Sequence, residues 1–138
     1  MNKIYRGKKR YGKGWAYGVP MVLDMNGYKV TAIVRCAAKS TDGFVLDYDE
    51  VIPETVGQFT DNHDYYTKEK LFEGDIMERD EKRFVIKFSG CGFVGEMIGK
   101  PNFTVSLCLL CHLTSEFRLP GKKIGNIHDN PAKDEIQP

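Results

Sequence analysis

The stretch WAYGVPMVLDMNGYKVTAIVRC, residues 15–36, decides how this chain folds. Apolar side chains recur at every second position from Tyr28 to Cys36, which is the period of a strand with one buried face. Asn26-Gly27 precedes that strand, and this dipeptide favours the positive φ angles of a type I′ turn. The stretch therefore predicts a β-hairpin in which residues 15–25 pair with residues 27–36 and Cys36 points inward.

Two further hairpins follow along the chain. Asp42-Gly43 is a second turn signal and is followed by the apolar residues 44–46. The segment DIME (residues 75–78) is predicted to pair with FVIKF (residues 84–88) around Asp80-Glu81-Lys82. Helical periodicity is weak, with short candidates only at residues 65–71 and 106–117. The predicted fold is mainly β with little helix, either a small bent sheet or an SH3-like or complex β-barrel.

Length and charge restrict the class of protein. A chain of 138 residues is long enough for one domain with a real core, so we expect a single domain over residues 1–138. With 20 Lys and Arg against 19 Asp and Glu, the whole molecule has no strong field for nucleic acid or membrane. No apolar run approaches the roughly 20 residues that span a bilayer, and residues 1–23 lack a signal-peptide pattern. We expect a cytoplasmic protein with no membrane partner.

The two ends differ from the rest of the chain. The first segment, MNKIYRGKKRYGKG (residues 1–14), has six cations, three glycines and no acid, and predicts a basic, flexible arm or loop. Cations beside aromatic rings suit nucleic-acid binding, although a solvated loop explains the same residues. The candidate nucleic-acid contacts are Lys3, Arg6, Lys8, Lys9, Arg10, Lys13 and Trp15. The polar, proline-bearing residues 129–138 predict a loose tail.

The segment CLLCH, residues 108–112, has the spacing at which c-type haem is attached. In a strand, Cys108 and Cys111 would face opposite sides of the sheet, whereas a helix would bring both together with His112. Neighbouring leucines and the usual burial of free cysteine favour core packing over a metal or haem site. Cys36 and Cys91 are likewise expected to be reduced thiols. We therefore predict no metal and no cofactor.

The segment GCGFVG, residues 90–95, is a literal G-x-G-x-x-G after an apolar strand. A dinucleotide site also needs a long helix after the glycines, but Pro101 leaves room for little more than one turn. A glycine-rich hairpin or bulge is the simpler prediction. The acidic segment LDYDE, residues 46–50, has no nucleophile-base pair nearby, so neither catalytic residues nor a small-molecule substrate are predicted.

Three blocks of sequence resemble one family. They are YRGK with GWAYG (residues 5–8 and 14–18), VIPETVGQFT with KLFEGDI (residues 51–60 and 70–76), and IGNIHDNP (residues 124–131). In this order they resemble the YopX-like proteins encoded by bacteriophages and prophages. Residues 61–67 depart from the family pattern, so the turn there must close differently. The resemblance supplies no fixed pattern, and no cofactor, for residues 91–121.

The resemblance implies a particular backbone conformation and no set of catalytic residues. Its structural motif residues here are Gly57, Gln58, Glu73, Gly74, Asp75, Gly125, Asn126, Asn130 and Pro131. It also implies β-barrel structure, ring-like self-assembly and an accessory role in a phage, without an established activity. The predicted function is therefore non-catalytic: a homo-oligomeric or macromolecule-binding module. Nucleic-acid binding is the first alternative, and a metal or nucleotide enzyme that uses GCGFVG or the Cys/His cluster is the second.

Overall fold

The computed structural model describes residues 4–90, 92–107, 110 and 121–128. Of these described residues, 67% lie in strands, which confirms the mainly β prediction. A short 3-10 helix covers Pro53–Thr55. The strands are β1 (Tyr5–Lys8), β2 (Trp15–Met25), β3 (Tyr28–Ser40), β4 (Gly43–Glu50), β5 (Gly57–His63), β6 (Lys70–Phe72), β7 (Asp75–Arg79), β8 (Lys82–Ser89), β9 (Gly92–Met97), β10 (Thr104–Ser106) and β11 (Lys122–Asn126).

The strands belong to two compact units, Met1–Phe59 and Thr60–Pro138. The strands form two sheets, one with the strand order β4-β3-β2-β1-β5-β6 and the other with the order β10-β9-β8-β7-β11. Neighbouring strands are antiparallel. The described strands form open sheets and no closed barrel, which favours the bent-sheet form of the prediction. That the chain is a single domain stays a prediction.

The hairpin predicted from residues 15–36 is confirmed. β2 pairs with β3 from Val19 opposite Val34 to Met25 opposite Tyr28. The turn between them has φ angles of 57° at Asn26 and 84° at Gly27, as a type I′ turn requires. The Asp24 carboxylate accepts a 2.8 Å hydrogen bond from the Gly27 amide and so helps to close the turn.

The other two predicted hairpins are also confirmed. β3 and β4 pair as far as Ser40 opposite Gly43, so the turn is formed by Thr41 and Asp42, one residue earlier than the predicted Asp42-Gly43. β7 and β8 pair as far as Arg79 opposite Lys82. In this last turn Asp80 and Glu81 have φ angles of 52° and 65°. These angles again match a type I′ turn, here without glycine.

The prediction that Cys36 points inward is wrong. Val30, Ala32 and Val34 are buried as expected, but Cys36 is exposed. The register of β3 against β4 shifts between Val34 and Cys36, so Arg35 is an extra residue in a β-bulge. One extra residue reverses the alternation of side chains, and Cys36 consequently faces the other side of the sheet.

The prediction of a flexible arm over residues 1–14 is wrong for Tyr5–Lys8. This segment is β1, and it lies between β2 and β5 in the first sheet. Arg6 is opposite Tyr17 on one side and Gly57 on the other. YRGK pairs with WAYG, which belongs to the same family block, and with GQ, which belongs to the second block. Two of the family blocks therefore form adjacent strands.

Each unit has its own apolar core. In the first unit Ala16, Ile33 and Val51 are buried together, and Tyr5 and Val56 pack against them. In the second unit the core residues are Leu71, Met77, Phe84, Ile86, Met97, Leu107 and Leu110, with Phe93 and Val105 packed alongside.

Residues 92–95 of the GCGFVG segment lie in β9, which forms a hairpin with β8, as predicted. β8 and β9 pair from Phe84 opposite Met97 to Ser89 opposite Gly92. The residues that would start a helix in a dinucleotide site lie in β9 instead. The two glycines of β9 differ sharply in their surroundings. A Cβ on Gly95 would approach Leu110 Cδ1 to 2.3 Å and Phe84 Cβ to 3.1 Å, whereas a Cβ on Gly92 would meet nothing within 4 Å.

We expect Gly95→Ala to lower the free energy of unfolding by about 1–3 kcal/mol, because the added methyl overpacks a well-filled core. Gly92→Ala, in the same strand and the same motif, is the matched control and should change stability much less. Urea denaturation monitored by circular dichroism measures both. Equal losses at Gly92 and Gly95 would contradict a packing role for Gly95.

Candidate interaction surface

One face of the first sheet has a continuous apolar row. Alternate residues of β2 point to this face, and none of them is charged. With Tyr28, which lies opposite Met25, they form what we call the apolar face: Trp15, Tyr17, Val19, Met21, Leu23, Met25 and Tyr28. Exposed hydrophobic residues are usually isolated, so a row of this length indicates a contact surface.

Most of the apolar face is open to solvent. The exposed fraction is 49% for Tyr17, 52% for Val19, 43% for Met21, 42% for Met25 and 71% for Tyr28. Trp15 and Leu23 are half-buried. On β3 the residues Val30, Ala32 and Val34 lie opposite Leu23, Met21 and Val19 and are buried. The exposed side chains of β2 thus lie next to a buried row of β3, on the same face of the sheet.

The outer edge of β2 limits how a partner can dock. β1 begins at Tyr5, opposite Gly18, so among the described strands only β3 pairs with residues 19–25. Pro20 lies in this segment and has no amide hydrogen to donate. Proline on an edge strand prevents regular pairing with another strand. At Pro20 a partner is therefore expected to contact side chains of the apolar face and not the backbone.

The predicted nucleic-acid residues fall into separate environments. Lys3 lies outside the described residues. The Arg6 guanidinium carbon lies 4.2 Å from the centre of the Trp15 ring, and Arg6 is only 3% exposed. Because Arg6 is buried, its guanidinium is not accessible to a phosphate group. Lys8 and Lys9 are half-buried, whereas Arg10 and Lys13 are exposed.

The acidic segment of β4 forms ion pairs. Asp47 and Asp49 share one side of the strand, and both accept hydrogen bonds from the Arg35 guanidinium. The hydrogen bond from Arg35 holds the pKa of the Asp47 carboxyl below its usual range, and the two carboxylates raise the pKa of Arg35. Glu50 lies 2.7 Å from Arg10 Nε. The segment thus carries surface ion pairs, two of which involve the bulge residue Arg35.

Two distant family blocks meet in the second unit, at the fully buried Asp75. Asp75 Oδ2 accepts a 2.7 Å hydrogen bond from the Phe72 amide and lies 3.6 Å from the Lys123 ammonium. Asp75 Oδ1 accepts a 3.2 Å hydrogen bond from the Asn126 side chain. The turn before Asp75 depends on Gly74, which has a φ of 91°. The carboxylate therefore ties β7 to β6 and to β11.

Asp64 is a second fully buried carboxylate, and the sequence reasoning missed it. Its Oδ1 accepts a 2.8 Å hydrogen bond from the Tyr66 amide, and its Oδ2 accepts one of 2.8 Å from the Lys123 amide. The Asp64 backbone amide also donates to the Glu69 carbonyl, at 2.8 Å. This is how the chain closes the turn at which it departs from the family pattern. The sequence signal for Asp64 was only an acid at the start of a polar turn.

The remaining motif residues have structural positions. Gly57 and Gln58 lie opposite Arg6 and Tyr5. Glu73 forms the turn with Gly74 between β6 and β7. Gly125 follows a bulge in β11, where the register shifts between Lys123 and Gly125. Asn130 and Pro131 lie outside the described residues.

The Cys/His cluster cannot be placed, since Cys108, Cys111 and His112 lie outside the described residues, as does Cys91. Within the described ranges, no group of three or more His, Cys, Asp or Glu side chains is arranged to hold a metal ion. No described helix is both long enough and apolar enough to cross a membrane.

Comparison with known proteins agrees with the arrangement of these blocks. No curated protein is similar enough in sequence to match the chain. The family model described as YopX protein matches residues 4–133. This range includes the central strands of the first unit and the Asp75 junction of the second. The chain therefore belongs to the YopX protein family.

Proposed function

We propose that the protein is a non-catalytic, phage-derived accessory module that assembles with itself in the cytoplasm through the apolar face of its first unit. The observation that carries this proposal is the row of exposed apolar residues along β2. Contiguous apolar surface on a folded protein is characteristic of protein–protein contact sites. The same face has no charged residue on β2 to select a charged partner.

A second copy of the chain is the partner that fits this surface best. An apolar, uncharged row requires an equally apolar partner, and the chain itself presents one. In a two-fold symmetric dimer the same patch is used by both copies, so a self-complementary row is sufficient. A contact centred on Met21 would cover Val19 and Met25 of each copy and would remove their side chains from water.

A non-catalytic role is supported by how the buried polar groups are used. Asp64 and Asp75 are the fully buried carboxylates among the described residues. Their oxygens accept hydrogen bonds from backbone amides and from Asn126, so they join strands. The carboxylates of β4 form ion pairs with Arg35 and Arg10.

Light scattering coupled to size-exclusion chromatography tests the proposal. The wild-type protein should show a mass that is a multiple of the 15.7 kDa of one chain. Met21→Glu should reduce this mass towards that of the monomer, because a carboxylate in the centre of an apolar contact loses its hydration. Val19→Lys gives a second variant on the same face.

Val22→Glu is the matched control. Val22 is 66% exposed, which is more than Met21, but it lies on the opposite face of β2. Its replacement should leave the mass of the assembly unchanged. A wild-type monomer at high concentration would overturn the proposal. Equal loss of mass from Met21→Glu and Val22→Glu, with both variants folded by circular dichroism, would assign assembly to another surface.

A further inference from the structure

The connection between β1 and β2 is an anchored turn, residues 9–14, which we call the basic turn. The Lys9 amide donates a 3.1 Å hydrogen bond to the Gly14 carbonyl and closes its base. The Arg10 amide donates a 2.9 Å hydrogen bond to the Glu50 carbonyl, and the Arg10 side chain pairs with the Glu50 carboxylate at 2.7 Å. The turn is consequently held on both sides of its base, and a ligand would meet a preformed shape.

The tip of the basic turn presents an aromatic ring to solvent. Tyr11 is 74% exposed, the largest value among the described large hydrophobic residues. All residues from 10 to 14 are exposed. Gly12 and Gly14 adopt φ angles of 92° and 90°, and a Cβ on either would meet nothing within 4 Å. Both faces of the turn are therefore accessible to an extended chain.

The charge of the basic turn is positive on balance. Lys9, Arg10 and Lys13 lie in the turn, and Lys8 directly precedes it. The first acid of the sequence is Asp24, and Glu50 is the carboxylate that pairs with Arg10. A cluster of this kind attracts phosphate even in a chain with a formal net charge of only +1, because exposed charges act within about 10 Å at ordinary salt.

We propose that the basic turn binds single-stranded nucleic acid, with one base stacked on the Tyr11 ring and the neighbouring phosphates held by Lys9, Arg10 and Lys13. Stacking requires an unpaired base with a free face, which a duplex does not offer. The contacts are to phosphate and to a ring face, so little sequence preference is expected. This site is separate from the apolar face, and its occupancy does not depend on self-assembly.

Fluorescence anisotropy with a labelled 15-nucleotide oligo-dT strand tests the proposal with full-length protein. With about three phosphate contacts, raising the salt from 50 to 200 mM should weaken binding roughly 20-fold. Tyr11→Ala should weaken binding at least about 5-fold, as the loss of one stacked base predicts. Lys13→Ala should weaken binding and reduce the dependence on salt.

Tyr66→Ala and Lys29→Ala are the matched controls, since both residues are exposed and lie outside the basic turn and the apolar face. Neither should change the affinity for oligo-dT. Absence of binding at 50 mM salt would overturn the proposal. Equal weakening by the control variants, or a duplex bound as tightly as the single strand, would overturn it as well. The mass measured by light scattering reports separately on self-assembly.

Discussion

Gly18→Ala is expected to destabilise the first unit by at least about 3 kcal/mol. Overpacking usually costs about 1–3 kcal/mol, and the cost is highest where the contacted atoms cannot move away. Gly18 lies in β2, where β1 and β3 flank it on either side. A Cβ at this position would lie 2.3 Å from the Val34 carbonyl oxygen and 3.0 Å from the Val34 carbonyl carbon. Both are backbone atoms, so no side-chain rotation relieves the contact. β2 and β3 would have to separate.

The consequence for the first unit is large because the contact lies between its central strands. Separation of β2 from β3 would weaken the hydrogen-bonded ladder next to the core residues Ala16 and Ile33. The net stability of a domain is only about 5–15 kcal/mol, so a loss of this size populates the unfolded state. Urea denaturation should show a midpoint far below that of the wild type, and amides of β2 and β3 should exchange faster with solvent.

Gly12→Ala separates steric contact from backbone conformation. Gly12 has a φ of 92° and open space around it, so its replacement tests the conformational cost alone. That cost is expected to be about 1–2 kcal/mol. If Gly12→Ala and Gly18→Ala have equal effects, the contact with Val34 is not the reason that glycine is required at position 18.

The hairpins could be predicted from the sequence because their turns are local. Asn26-Gly27 specifies positive φ angles that few other residues adopt, and alternating residues then pair on either side. Asp42-Gly43 locates the second hairpin, although its two turn residues are Thr41 and Asp42. The inward position of Cys36 could not be predicted in this way. A bulge at Arg35 adds one residue without changing the apolar pattern, and only the pairing of β3 with β4 reveals it.

The interaction surface was harder to predict than the fold. The pattern of cations and aromatic rings in the first segment groups Arg6 with Lys9 and Lys13, although Arg6 is buried against Trp15. An apolar row on β2 is visible in the sequence, but a row that packs in a core has the same pattern. Only the exposure of Met21 and its neighbours distinguishes the two. Likewise, nothing local to Asp75 indicates that it contacts Asn126, which is 51 residues away.

Asp75→Ala is expected to lower the free energy of unfolding by roughly 3–5 kcal/mol, the usual cost of removing one member of a buried ion pair. Asp75 is fully buried, and its loss leaves the Phe72 amide and the Asn126 side chain without the acceptor that they share. The Lys123 ammonium, 18% exposed, also loses its nearby carboxylate. Each unsatisfied buried group adds a desolvation cost, so β6 and β11 should detach from β7 before the rest of the second unit unfolds.

Two variants identify the origin of the Asp75 effect. Asp75→Asn keeps the shape and one acceptor oxygen but removes the charge, so its loss of stability should lie between those of wild type and Asp75→Ala. Asp47→Ala removes an aspartate whose ion pair with Arg35 is on the surface, and it should change stability little, because solvent screens such pairs. Hydrogen exchange at the amides of Phe72 and Ile127, which donate to the Asp75 carboxylate and to the Gly74 carbonyl, reports on the junction directly. Wild-type protection of these amides in Asp75→Ala would show that the strands remain joined without the carboxylate.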